Sequence, residues 1–150
     1  MFESTLKEVV HAKRLSASKM GKLTDIALKS MEVRTAFVPL HNTLITNLLF
    51  FRSQLFQQND TQLVSILYRT HKSLPTTAKV SSLYAFDALS RAARSQANKQ
   101  GLTGDINSEK GNCATFLLKV EGVLDGLFQD MISAGNPETK VSSLSANHSR

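Results

Sequence analysis

Between Val80 and Ala93 the apolar residues recur at steps of three and four: Val80, Leu83, Phe86, Leu89 and Ala93. That period belongs to one face of an α-helix and fits no strand. Tyr84, Asp87 and Arg91 stand at i, i+3 and i+7, so they share one strip of the opposite surface. An aromatic ring, a carboxylate acceptor and a forked cation along one strip can grip an extended peptide. The same spacing equally describes a core-edge tyrosine beside a solvated ion pair worth roughly 0.3–0.5 kcal/mol.

The rest of the chain repeats the helical pattern. Phe2, Leu6, Val9 and Val10 predict a short first helix, followed by a basic turn over 11–16. Ser16 is placed to cap a second helix over Ala17–Met31, with Met20, Leu23, Ala27 and Met31 inward. Gly21 weakens its first turn by up to about 1 kcal/mol unless something packs closely there. Asp60 is expected to cap a helix over Thr61–Leu74 with Leu63, Ile66, Leu67 and Leu74 inside. Pro75 stops it, and Thr77 is expected to cap the helix carrying the Tyr84 strip. Residues 99–112, with three glycines, read as a loop. Phe116, Leu117, Val120, Leu124, Leu127 and Met131 predict a last helix from Cys113 to Ala134, ended by Gly135-Asn136-Pro137. No two-residue alternation persists, so the fold class is all-α, and 150 residues suit one domain.

One segment breaks the pattern. From Ala36 to Phe51 no residue is charged, and Leu48-Leu49-Phe50-Phe51 has no helical phase. Pro39, His41, Asn42, Thr43, Thr46 and Asn47 interrupt the run, so it does not read as a membrane span.

Lys and Arg number 18 against 12 acidic residues, a net charge of +6 that favours an anionic partner. The excess lies in the first third, where Lys7, Lys13, Arg14, Lys19, Lys22, Lys29 and Arg34 meet few acids. A serine at a helix start beside Lys13, Arg14 and Lys19 has the makings of a phosphate site. Helix N-terminal amides attract an anion and the cations add charge-assisted hydrogen bonds. As a bare cluster, the same residues form a solubilising face.

The single cysteine, Cys113, excludes an intrachain disulfide and suits a reducing compartment. A helix start can lower its thiol pKa, but no catalytic partner accompanies it, and it reads as a small buried residue. His11, His41, His71 and His148 have no metal-ligand spacing, and Gly101–Asp105 lacks the alternating acids of a calcium loop. No phosphate-cradling glycine motif or nucleophile elbow is present, so the chain reads as non-enzymatic, without metal or cofactor.

The run Lys79-Val80-Ser81-Ser82-Leu83-Tyr84-Ala85-Phe86-Asp87-Ala88-Leu89-Ser90-Arg91 resembles the signature helix of the CTD-interacting domain family. Leu15–Thr24 is similar to that family's basic loop and second helix, and Asn112-Cys113-Ala114-Thr115-Phe116 to the start of its penultimate helix. The likeness is to fungal-type termination factors that also carry an RNA-recognition domain. It implies a right-handed superhelix of about seven to eight helices, akin to the ENTH and VHS folds. The implied partner is the phosphorylated heptad repeat of the RNA polymerase II C-terminal domain, bound in the nucleus during transcription termination and RNA 3′-end processing. By this likeness Tyr84 packs on a proline or tyrosine, Asp87 accepts hydrogen bonds from a β-turn, and Arg91 either supports the groove or approaches phosphate. Lys13, Arg14, Ser16 and Lys19 match positions that hold phosphate in some members. RNA would be held by a region outside this chain; neither a membrane nor a second subunit is implied.

Two departures accompany the likeness. Residues 36–59 intervene where members pass directly from one helix to the next, and after Lys140 the family's last helix is replaced by a Ser-rich stretch. The expected organisation is thus a domain over 1–140 with an insert at 36–59, lacking its last helix, and a disordered tail over 141–150. Lys140-Val141-Ser142 is what AAG read through a GTAAGT splice donor would encode, and both departures fit retained intron sequence. The competing classes are a trafficking adaptor that reads phosphoinositides or sorting peptides, and a helical RNA-binding domain.

Overall fold

The computed structural model describes residues 1–32, 59–105 and 111–135, and the described residues form five helices and no strand. We label these α1 (Phe2–Val10), α2 (Ala17–Met31), α3 (Asn59–Ser73), α4 (Thr76–Gln100) and α5 (Cys113–Gly135). The all-α class stands. The insert and the tail lie outside the described residues, except Asn59, which opens α3 and donates from Nδ2 to the Ser30 carbonyl at 2.6 Å.

Helix α4 touches each of the other four helices, so the long central helix carries the Tyr84 strip on whatever surface its neighbours leave bare. Phe116, Leu6, Leu23, Leu67, Leu89 and Leu127, drawn from all five helices, are the largest fully buried apolar side chains of one shared core. The apolar stripes of α1 and α2 pack inward as their spacing requires: Phe2, Leu6, Val9 and Val10, then Leu23, Ala27 and Met31, with Met20 half-buried.

Helix α4 corrects the stripe drawn from hydropathy. Phe86, Leu89 and Ala93 are buried, but Val80 is 46% exposed and Leu83 only half-buried. Lys79, Ser82 and Ala85 occupy the inner face instead. The helix is rolled because Lys79, itself buried, finds the half-buried Asp130 carboxylate. Its ammonium pairs with Asp130 of α5 and donates to the His71 carbonyl of α3 at 3.1 Å. A lysine with such partners is stable inside, whereas pattern alone assigns it to water.

The helix ends differ from the expected caps in four places, the first being α3, which Asn59 opens, so that Asp60 lies inside the helix rather than capping it. Pro75, with φ −64°, precedes the first residue of α4, and its carbonyl accepts the Ala78 amide at 2.9 Å. Thr77 therefore lies inside the helix and caps nothing. Ser16 does occupy the N-cap position of α2, with extended backbone, but its hydroxyl makes no capping bond. Helix α4 also runs on through Lys99 and Gln100, residues expected in the loop, and stops at Gly101, whose φ of 60° favours glycine.

A second buried charge joins α3 to α5. Asp60 Oδ2 accepts from Thr115 Oγ1 at 2.6 Å and from Lys119 Nζ at 2.7 Å, while Oδ1 accepts the Thr61 amide at 2.8 Å. Burial alone would raise this carboxyl, but the bonds from Lys119, Thr115 and Thr61 outweigh it and hold its pKa below the ordinary value. Asn112 caps α5: its Oδ1 accepts the amides of Ala114 and Thr115, and Thr115 Oγ1 accepts the Asn112 amide in return. Gly111 sits so close that a Cβ there would lie 2.1 Å from Asp60 Oδ1.

Two glycine substitutions should therefore act in opposite directions. Gly111→Ala drives a methyl into a carboxylate pinned by three donors and should destabilise by about 2–3 kcal/mol, the upper range of overpacking. A Cβ at Gly21 meets nothing within 4 Å, so Gly21→Ala should stabilise by about 0.5–1 kcal/mol. Urea unfolding followed by far-UV circular dichroism measures both.

Candidate functional site

The outward side of α4 gathers what its inward roll displaces. Val80, Leu83, Tyr84 and Asp87 line an open groove of about 330 Å³. Tyr84 is 54% exposed and Val80 beside it 46%, so the two form a contiguous apolar surface. Asp87 and Arg91 are exposed next to it, with Arg91 Nη2 2.6 Å from Asp87 Oδ2. The strip read from spacing is thus present as one surface, and Val80 and Leu83 join it. Those two were assigned to the core; only the burial of Lys79 and Ser82 reveals that they face outward.

The basic cluster is looser. Lys13, Arg14 and Lys19 are exposed on the turn between α1 and α2, and Ser16 is half-buried. Lys19 lies 3.9 Å from Glu8, a solvated pair of little energetic weight. Because the Ser16 hydroxyl is not committed to capping, it is available to an anion along with the first-turn amides. Cys113 is buried, and burial pushes its thiol pKa up rather than down, as suits a core residue. Among the described residues no group of acids, histidines and cysteines could hold a metal ion, and no helix is long and apolar enough to cross a membrane.

Beneath the groove lies a polar cluster that sequence reading missed. His71 is completely buried, and its Nδ1 is 2.5 Å from Ser82 Oγ. Ser82 Oγ also lies 3.1 Å from the Lys79 carbonyl, to which it can donate, and the second ring nitrogen is Nε2. That Nε2 has no hydrogen-bond partner and faces Asp130 Oδ2 at 3.4 Å. Hydrogen bonds from Lys72 (2.8 Å) and Lys79 hold the Asp130 carboxyl down to about 2. Burial, reinforced by Lys79, lowers the His71 pKa, so the ring is neutral at pH 7. The spacing of Lys79 and Ser82 at i, i+3 was the available signal, but it names no partner on another helix.

No family model matches this sequence, and no curated protein matches it either. Solved structures do. The CTD-interacting domain of Seb1 from S. pombe is 20% identical, covering 90% of this chain and 72% of that one, with a TM-score of 0.62. The yeast Nrd1 domain in complex with Sen1 NIM3 is also 20% identical, covering 97% of this chain and 81% of that one at a TM-score of 0.63. The RNA polymerase II CTD-interacting domain of Nrd1 is 22% identical at a TM-score of 0.60, covering 93% and 74% of the two chains. The chain therefore has the helical superhelix fold of the CTD-interacting domains.

The cluster under the groove makes stability pH-dependent with a definite sign. The folded protein resists protonating His71, whereas the unfolded chain titrates near 6.5. Its contribution is thus complete above that pH and is lost as pH falls below it. Urea midpoints should drop between pH 7.5 and 5.5, and His71→Gln should flatten that slope. Equal slopes for the two proteins would assign the pH dependence elsewhere.

Proposed function

We propose that this chain is a non-enzymatic peptide-reading module. Its ligand would be the phosphorylated heptad repeats of the RNA polymerase II C-terminal domain, bound in the nucleus during transcription termination and RNA 3′-end processing. The observation that carries the reading is the exposed Tyr84 beside the open groove of Val80, Leu83 and Asp87. The fold adds to it, because Seb1 and Nrd1 domains of this shape are named for CTD interaction, and one Nrd1 domain holds a Sen1 segment.

In this mechanism Val80, Leu83 and the Tyr84 ring pack on the apolar side chains of the repeat. A proline ring costs little entropy to order and matches an aromatic face. Arg91 engages Oδ2 of Asp87 and leaves Oδ1 to accept a backbone amide or hydroxyl from a turn in the peptide. Lys13, Arg14, Ser16 and Lys19 supply donors for a phosphate. The module works as a monomer, and RNA is left to a region outside the chain.

The burial of Phe2, Leu6, Val9 and Val10 favours a peptide over a membrane. The apolar face of α1 is spent on the core, so this helix has no free face to insert into lipid. A phosphoinositide-reading adaptor would need one.

Fluorescence anisotropy with labelled heptad peptides tests the proposal. Phosphorylated repeats should bind more tightly than unphosphorylated ones, with affinity falling as salt rises. Asp87→Asn keeps size but weakens the acceptor and releases Arg91, and should cost about tenfold in Kd. Equal binding of both peptides, or an indifferent Asp87→Asn, would count against it.

A further inference from the structure

The Tyr84 strip does not end at Arg91. Arg94 follows at i+3, and the spacing Tyr84, Asp87, Arg91, Arg94 runs 3, 4, 3, which keeps all four on one side of α4. Their environments differ. Arg91 lies within 2.6 Å of Asp87, so the two charges cancel to a ligand a few ångströms away. Arg94 is exposed, and among the described residues no ion-pair or hydrogen-bond partner holds it. It is therefore the first uncompensated positive charge a ligand meets on leaving Asp87 along the strip.

Resting on the function proposed above, we infer that Arg94 is a specificity-determining residue. It reads a phosphate about three residues from the peptide position that Asp87 holds. Seven helical residues separate Asp87 from Arg94, a rise of about 10 Å at about 1.5 Å per residue. An extended chain covers that span in about three residues at about 3.3 Å each. The guanidinium can offer a phosphate all of its donors and its full charge, whereas Arg91 already commits Nη2 and its charge to Asp87. The groove selects apolar side chains, Asp87 selects a turn, and Arg94 adds a preference for where the phosphate stands.

The test compares the intact chain with Arg94→Ala, Arg94→Lys and Lys99→Ala, against heptad peptides carrying one phosphoserine at each position in turn. Lys99 is an exposed cation off the strip and controls for the loss of one positive charge. Arg94→Ala should weaken the best phosphopeptide about fivefold, as an exposed charge pair allows, and should erase the preference for its position. Arg94→Lys should keep part of the affinity, and Lys99→Ala should stay within about twofold of the parent. If the parent binds phosphopeptides but Arg94→Ala loses no more than Lys99→Ala, the role of Arg94 is overturned and the groove reading stands. If the parent binds no heptad peptide at all, the function proposed above fails and this inference fails with it.

Discussion

The pairing of Lys79 with Asp130 is the interaction on which the site depends. It brings a lysine to the inner face of α4, next to the end of α3 and the last turns of α5. Each helix has a fixed number of positions per turn, so admitting Lys79 and Ser82 inward turns Val80 and Tyr84 outward. The apolar groove and the buried ion pair are two sides of one rotation. Replacing the cluster with hydrophobic residues would be tolerable for stability on general grounds, since buried pairs seldom add much net energy. What the pair supplies is register: it defines which residues of α4 reach the surface.

Asp60 plays the corresponding part at the other end of α5. It gathers the Thr61 amide, Thr115 and Lys119, and it leaves room for no side chain at Gly111. Two carboxylates, the buried Asp60 and the half-buried Asp130, thus sit at opposite ends of the α3–α5 contact, each paired with lysine. A helix held at two points of opposite ends cannot roll without breaking one of them, and a preformed groove loses less entropy on binding a peptide.

Most of the fold was legible because amphipathic helices announce themselves by period. Helix α2 falls over the predicted residues and α5 matches within a residue; the inner positions of α1 are those its spacing indicates, while Met20 of α2 and Leu117, Leu124 and Met131 of α5 are only half-buried. The failures have a common cause. Reading Thr77 as a cap and Val80 as core both treat a residue by its own preference. The outcome was decided by a neighbour: Pro75 set the helix start, and Asp130, fifty-one residues away, drew Lys79 inside. Tyr84, Asp87 and Arg91 were legible as a strip because their geometry is local to one helix. Whether Lys13, Arg14, Ser16 and Lys19 act with them depends on helix packing, which spacing does not encode.

A consequence follows for how ligand chemistry is divided over the surface. The α4 strip is amphipathic along its length, passing from the apolar groove through a neutralised Asp87–Arg91 pair to the exposed Arg94. Apolar contact is short-ranged and demands fit, whereas charge acts over about 8 Å at physiological ionic strength and demands only sign. In the proposed function a ligand is drawn by the cations of α4 and of the α1–α2 turn before the groove tests its shape. Salt weakens the first step and leaves the second intact, so the two halves of recognition separate on a single titration axis. A protein that bound by charge alone would lose all affinity along it, and one that bound by fit alone would lose none.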